Sequence, residues 1–111
     1  MKNVTELNLE ASGLTVEQAL LQMKNALATY KRQGVKAVIL IHGWGSSGVG
    51  GVIRTAVRNA LRGDDMRGLV RAFAPGEEWT VKRREFVGMC KALEDARHLD
   101  GNAGVTVVIL R

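Results

Sequence analysis

The alternation of apolar and polar residues predicts a strand and then a helix at the beginning of the chain. Residues 4–9 (VTELNL) alternate between the two classes, which is typical of a strand with one buried face. Residues 16–30 instead repeat apolar side chains at intervals of three and four, which predicts an amphipathic helix. Thr15 and Gln18 have the spacing of a capping box at its beginning, and Gly34 is suited to end it.

An unbroken apolar run at 37–41 (AVILI) is followed by His42 and a glycine-rich segment. A run of this kind, rich in Val and Ile, is typical of a strand that is buried on both faces of a sheet. Helical spacing of apolar residues resumes over about 49–61, and Gly63 is suited to end that helix. Ligands of α/β sheets bind beyond the carboxyl ends of the strands, so we expect His42 and Gly43 at the centre of any site.

The second half of the chain predicts two more strands with a short helix between them. Residues 69–74 form one apolar segment, and 105–110 form another after a glycine-containing turn. The spacing of Phe86 and the apolar residues after it predicts a short helix that ends near Arg97. We therefore predict an α/β fold, a two-layer βαβαβ-type sandwich with a four-stranded mixed sheet and a short extra helix before the last strand. Right-handed crossovers would place both main helices against a parallel core. No linker interrupts the pattern, so we expect a single domain over 1–111.

Composition adds a preference for anionic partners. Sixteen Lys and Arg against eleven acidic residues give a formal charge of +5, which favours DNA or RNA as a partner. Cys90 is the only cysteine, so no internal disulfide can form and a reducing compartment is expected. No apolar run approaches the roughly 20 residues that span a bilayer, and the first residues lack the apolar core of a signal peptide. We expect a cytoplasmic protein without membrane association, and the sequence makes no prediction of its oligomeric state.

Two groups of basic side chains are candidates for contact with a phosphate backbone. They are Arg54, Arg58 and Arg62 on the predicted second helix, and Lys82, Arg83 and Arg84 ahead of the predicted third helix. The first group recurs every four residues and is therefore predicted to line one exposed flank of its helix. The second group would oppose the dipole of the helix that follows it, which favours a binding role. The alternative for both groups is an ordinary solvated surface.

The glycine-rich segment 43–48 resembles several nucleotide and hydrolase motifs without satisfying them. It fits G-x-G-x-x-G, but the next strand ends in AFA where a dinucleotide-binding fold carries an acidic residue. A phosphate loop of Walker type requires Lys and then Ser or Thr after the glycines, whereas Gly48 is followed by Val49. Neither Ser46 nor Ser47 lies in a G-x-S-x-G nucleophile elbow. These patterns disfavour a cofactor enzyme or an α/β-hydrolase.

A simpler chemistry of the same segment is phosphate binding. Small residues at the beginning of a helix let backbone amides and the helix dipole approach a phosphate. His42 could donate to that phosphate or transfer a proton near neutral pH. Trp44 is suited to stacking on an unpaired base. The alternatives are that His42 only caps nearby backbone and that Trp44 packs over the glycines.

Five segments carry a resemblance to a known family: LNL at 7–9, GLTVEQAL at 13–20, VILIHGWG at 38–45, VIR at 52–54 and GNAGVTVV at 101–108. On these segments the chain resembles the Smr (small MutS-related) domain, a βαβ-type module of MutS2-like proteins and of small stand-alone proteins. The resemblance covers nearly the whole length. It implies binding of DNA or RNA and, as in many members, nicking endonuclease activity.

The first motif departs from the family pattern. Members with nuclease activity usually carry Leu-Asp-Leu-His-Gly, whereas this chain has Asn8 at the Asp position and Glu10 at the His position, with two extra residues before Gly13. Glu10 retains a carboxylate that could act as a base or hold a divalent cation. The resemblance therefore supports nucleic-acid binding more strongly than cleavage.

We predict a nucleic-acid-binding Smr-like domain, with nicking of a phosphodiester as a further activity if Glu10 and His42 form a catalytic pair. The predicted contacts to nucleic acid are Gly43, Trp44, Gly45, Arg54, Arg58, Lys82, Arg83 and Arg84. No pair of Cys or His residues has the spacing of a metal site. The alternative is a catalytically inactive domain that docks a protein partner through Trp44 and Trp79.

Overall fold

A sheet of four strands forms the centre of the computed structural model, which describes residues 3–10, 14–43, 49–96 and 99–111, with 49 and 50 described by their backbone alone. The main elements are β1 (Val4–Asn8), α1 (Val16–Arg32), β2 (Ala37–Ile41), α2 (Val49–Leu61), β3 (Val70–Pro75), α3 (Trp79–Met89) and β4 (Val105–Leu110). Short 3₁₀ turns lie at Asp64–Met66, Gly76–Glu78 and Lys91–Asp95. The predicted α/β fold with a four-stranded mixed sheet is confirmed.

The strand order is β1-β2-β4-β3, so the last strand lies inside the sheet. β1 and β2 are parallel, whereas β4 runs antiparallel to both β2 and β3. The predicted parallel core is therefore wrong beyond the first pair of strands. All six residues of β4 are buried. A strand this apolar must be covered on both faces and along both edges, and a central position in the sheet provides this cover.

The first three strands point in the same direction, and this brings their ends together. Asn8 pairs with Ile41, Ile41 pairs with Val105, and Pro75 pairs with Thr106. We call this end of the sheet, formed by the ends of β1, β2 and β3 and the beginning of β4, the carboxyl edge. The opposite end, where β4 finishes, is called the far edge.

Helices α1 and α2 cover one face of the sheet. The capping box predicted for α1 is confirmed, since the Thr15 hydroxyl accepts from the Gln18 amide at 3.1 Å and the Gln18 side chain accepts from the Thr15 amide at 2.9 Å. The apolar stripe of α1 packs with that of α2 against β1, β2 and β4; its buried members are Ala19, Met23 and Leu27, with Ile53, Val57 and Leu61 from α2.

Helix α3 begins earlier than predicted and covers the other face. It spans Trp79–Met89, not the region from Phe86 to Arg97, and Arg97 lies outside the described residues. The reason is an edge-to-face contact between the Trp79 and Phe86 rings, whose centroids are 5.7 Å apart across two helical turns. These rings pack against Ile39, Val107 and Ile109. Helix α3 thus adds a third layer to the fold, where the sequence had predicted a two-layer sandwich.

Two predictions about this region change as a result. The basic cluster at 82–84 lies within α3 and not ahead of it, with Arg84 exposed and the other two side chains partly buried. Trp79 was a candidate anchor for a protein partner, but its side chain is fully buried. That prediction is wrong, because a buried core ring offers no surface to a partner.

Within the described residues, no helix combines the length and the apolar character that crossing a membrane requires.

Candidate functional site

His42 directly follows β2 and is buried at the carboxyl edge, with no exposed surface. Its backbone amide and that of Gly43 both donate to the Gly104 carbonyl at 3.0 Å. The ring atom Nδ1 lies 3.1 Å from the Gly43 carbonyl oxygen, and Nε2 lies 2.8 Å from the Thr106 hydroxyl. A carbonyl can only accept, so Nδ1 carries the hydrogen and Nε2 accepts from Thr106. Both ring nitrogens are therefore engaged inside the protein.

The environment of His42 keeps its imidazole neutral. The pKa of His42 falls from 6.5 to about 4, mainly because of burial. The charges of Arg58 and Arg54 act in the same direction, whereas the Gly43 hydrogen bond and the charge of Glu77 oppose the fall. A neutral ring with two internal hydrogen bonds is suited to holding the beginning of the segment after β2. It is less suited to the predicted proton transfer, since a transferring nitrogen must reach the substrate.

Arg58 completes this network from α2. Its Nε donates to the Thr106 hydroxyl at 3.0 Å, and its two terminal nitrogens form a fork on the Glu77 carboxylate at 2.9 and 2.8 Å. One of these nitrogens also donates to the Val105 carbonyl at 3.1 Å. The prediction that Arg58 lies on an exposed flank is wrong, because these partners hold its side chain at the carboxyl edge and only 13% of it is exposed.

Glu77 and Thr106 are functional candidates that the sequence analysis missed. Burial raises the pKa of Glu77, but the hydrogen bonds from Arg58 outweigh this effect, so the net pKa lies below its ordinary value. The signal for Thr106 was that it is the one polar side chain in an otherwise apolar last strand. The sequence feature that could have indicated a role for Glu77 is its position just after β3, a strand that ends at the carboxyl edge.

Glu10 lies on the neighbouring strand end, against the segment that follows β2. Gly43 has a φ of +82°, and a β-carbon added there would lie 2.8 Å from Oε1 of Glu10. The backbone amide of Glu10 donates to the Asn8 side chain at 2.7 Å, which positions the residue beyond β1. The structure thus brings Glu10 next to Gly43, as expected if the ends of parallel strands meet, and leaves its carboxylate exposed.

The other predicted contacts are distributed unevenly. Arg54 is partly buried on α2, close enough for its charge to act on both His42 and Glu77. Lys82, Arg83 and Arg84 lie on α3, across the sheet from α2, where Arg83 donates to the Glu94 carbonyl at 2.6 Å. Trp44 and Gly45 lie outside the described residues. In the described part of the chain, no cluster of three or more His, Cys, Asp or Glu side chains could hold a metal ion.

Comparison with known proteins assigns the chain to a family. The model of the Smr domain matches residues 9–111, which is most of the chain. The chain belongs to the Smr domain family. The chain is 34% identical over 110 residues to a protein named endonuclease MutS2 from Thermus thermophilus. The match covers 99% of this chain but 11% of that protein, so this Smr domain spans about a tenth of its relative.

A solved structure shows the same fold. The crystal structure of the Smr domain of Thermus thermophilus MutS2 superposes with a TM-score of 0.62 at 34% identity, covering 96% of this chain and 98% of that one. Because the match covers nearly the whole of both chains, the sheet and its three helices are the fold of an Smr domain.

The buried imidazole makes the stability of this Smr domain dependent on pH. An unfolded histidine takes up a proton near pH 6.5, whereas His42 resists protonation until about pH 4. Between these values protons bind preferentially to the unfolded chain, so we expect acidification to lower the free energy of unfolding by roughly 3 kcal/mol. Urea denaturation at several pH values between 7 and 4.5 would measure this fall in the free energy of unfolding. Protonation of Glu77, whose pKa is lowered in the folded protein, affects stability mainly at lower pH.

The second histidine, His98, supplies the control for this prediction. The variant His98→Gln should show the same loss of stability on acidification as the wild type, and it assigns the remaining imidazole resonance in an NMR titration to His42. If the acid-induced loss disappears in His98→Gln, or if the His42 resonance titrates near pH 6.5, the buried neutral state of His42 is wrong.

Proposed function

We propose that this Smr domain binds DNA or RNA at the carboxyl edge, where the segment after β2 leads into α2. The observation that supports this most directly is the chain of hydrogen bonds from Glu77 through Arg58 and Thr106 to His42. This chain of hydrogen bonds fixes His42, the residue from which the segment departs. The segment leads to the beginning of α2, and at the beginning of a helix free backbone amides and the helix dipole favour an anion. A rigid support of this kind suits a segment that must present amides to a phosphate.

The basic residues divide into two roles in this proposal. Arg54 has no hydrogen bond or ion pair to the described part of the chain, so its full charge is available to a phosphate. Arg58 is already neutralised by the Glu77 carboxylate at 2.8 Å and therefore acts as a positioning residue. Gly43, Trp44 and Gly45 remain proposed contacts of the phosphate and of an unpaired base, and the basic side chains of α3 (Lys82, Arg83 and Arg84) would extend the contact.

Cleavage is the second candidate function, and the placement of Glu10 favours it. Its exposed carboxylate lies against Gly43, beside the proposed phosphate position. There it would accept a proton from the water that attacks the phosphorus, and the bond from phosphorus to the leaving sugar oxygen would break. If a divalent cation takes part, Glu10 would bind it together with the substrate phosphate, as Mg²⁺ is commonly held by one or two carboxylates and phosphates. His42 would position the segment in this reaction.

A binding assay with a matched control tests the proposal. We expect fluorescent single-stranded, duplex or branched DNA or RNA to bind with an affinity that falls steeply with salt. Arg54→Gln should weaken binding about tenfold near 0.1 M salt and reduce the slope of log K against log salt by about one. The control Lys24→Gln removes the same charge at a cation that already pairs with Asp65 at 3.4 Å, and it should bind as the wild type does.

The same samples separate binding, cleavage and protein docking. A nicking activity through Glu10 would convert supercoiled plasmid in the wild type, and Glu10→Gln would bind equally well but leave the plasmid intact. If the folded wild type binds none of the nucleic acids at low salt, the proposal is overturned, and the domain is then better described as a docking module for a protein partner.

A further inference from the structure

The far edge of the sheet carries a second concentration of positive charge. A cavity of about 320 Å³ lies there, lined by side chains that include Lys31, Lys36, Arg71 and Arg111. We call it the far-edge pocket. The four cations come from four separate parts of the fold: the last turn of α1, the residue before β2, strand β3 and the residue after β4. Residues far apart in the sequence thus converge on one cavity.

No acidic side chain in the lining of the far-edge pocket neutralises its positive charges. Lys31 donates to the Gly68 carbonyl at 2.6 Å, and Arg111 donates to the Arg67 carbonyl. Carbonyl oxygens orient these cations but carry no net charge. Lys36 and Arg71 are exposed and have no hydrogen bond or ion pair to the described residues, and none of the lining side chains is acidic.

Two exposed cations outside the pocket are paired with carboxylates. Lys24 lies 3.4 Å from Asp65, and Arg67 lies 3.1 Å from Asp64. Like charges gathered at one cavity repel each other, and this repulsion destabilises the folded state unless an anion relieves it. Four cations that converge on one cavity, with no acidic side chain in its lining, are suited to an anionic ligand.

We propose that the far-edge pocket binds phosphate groups of the same nucleic acid that contacts the carboxyl edge. This inference rests on the proposed function and adds a second contact site to it. Four cations without acidic neighbours match a chain of phosphates, which carries one negative charge per nucleotide and releases counterions when it binds. Lys36 and Arg71 contact phosphate oxygens, and the two tethered cations add to the local potential.

The length of β4 sets the minimum size of a ligand that occupies both sites. Thr106 belongs to the carboxyl edge and Arg111 to the far-edge pocket, and five residues of strand at about 3.3 Å each separate them by roughly 17 Å. Phosphates along one strand of B-form DNA advance about 3.4 Å per nucleotide. A B-form duplex therefore needs at least about five base pairs between its two contacts, and a duplex stem of about four cannot engage both.

The test compares long and short ligands with charge-removing variants at the far edge. Against a duplex of about 20 base pairs, chosen as about four times this minimum, we expect Lys36→Gln/Arg71→Gln to lower affinity roughly tenfold to a hundredfold near 0.1 M salt. The slope of log K against log salt should fall by about two. Against a hairpin with a duplex stem of about four base pairs, the double variant should bind as the wild type does. Each single variant is compared with Lys24→Gln, and circular dichroism verifies that every variant is folded.

The outcomes separate this inference from the proposed function. If the wild type binds the long ligand and the double variant binds it with the same affinity and slope, the far-edge pocket is not a contact site, although the carboxyl edge remains one. If the double variant loses the short and the long ligand equally, the pocket is not a second site and the inference fails. If the wild type binds no nucleic acid at low salt, the proposed function fails, and the inference fails with it.

Discussion

Replacing Arg58 with methionine should lower the free energy of unfolding by about 2–4 kcal/mol. The change leaves the Glu77 carboxylate, the Thr106 hydroxyl and the Val105 carbonyl without the donor that they share. Breaking a fully buried ion pair costs about 3–5 kcal/mol, and the cost is smaller here because 41% of the Glu77 side chain is exposed and can be hydrated again. Urea denaturation at pH 7 measures the loss.

Arg62→Met is the matched control, since Arg62 is the next arginine along the same helix. Arg62 is exposed, and its partners are the Arg58 carbonyl, the Asn59 side chain and the face of Phe73 at 5.2 Å. We expect its replacement to cost less than about 1 kcal/mol. The double variant Arg58→Met/Glu77→Leu should recover part of the loss of Arg58→Met, because no carboxylate is then left without a partner. Equal losses in Arg58→Met and Arg62→Met would contradict the positioning role of Arg58.

Gly76→Ala should destabilise the protein by about 3 kcal/mol or more, because the neighbouring backbone leaves no room for a side chain. A β-carbon at Gly76 would lie 1.9 Å from the Asn102 carbonyl oxygen and 2.6 Å from a methyl carbon of Val105. Relief would require the turn at Asn102 to move. That turn holds Gly104 through its amide at 2.9 Å, so we also expect weaker nucleic-acid binding at the carboxyl edge.

Gly88→Ala provides a control of opposite sign. Gly88 lies near the end of α3, and a β-carbon added there would meet no described atom within 4 Å beyond its chain neighbours and the backbone of its own helix. Alanine should therefore stabilise the helix by roughly 0.5–1 kcal/mol, because it restricts the unfolded chain and favours the helix. Thermal unfolding of both variants gives the comparison. A Gly76→Ala protein as stable as Gly88→Ala would show that the Asn102 turn is free to move.

The parts of the fold that sequence patterns predict well are those with one regular period. Helix α1 has a capping box and an apolar stripe, and β2 is an unbroken apolar run, so each was predicted close to its position in the structure. The place of β4 between β2 and β3 was not predicted, because strand order depends on which surfaces remain to be covered. Helix α3 was misplaced because its two aromatic anchors lie seven residues apart and mostly polar residues separate them.

The candidate site was predicted in part for the same physical reason. Direction along a strand places His42 and Glu10 at one edge, and sequence alone reveals this much. The period of α2 predicted one exposed flank for its arginines, but it could not show that Glu77, which lies 19 residues further along the chain, would draw Arg58 inward. Pairing between distant charges depends on tertiary structure, so the difference between Arg54 and Arg58 became visible only with the fold.

The position of β4 also has a consequence for the order of folding during synthesis. β4 is the last of the four strands to leave the ribosome, yet it pairs with both β2 and β3. Until it emerges, β3 has no neighbour in the sheet, and His42 lacks Thr106. β1, α1 and β2 can assemble earlier, because they form a parallel unit of neighbouring elements. Such long-range closure favours slow folding, and the nascent chain exposes the apolar edge of β2 until β4 covers it.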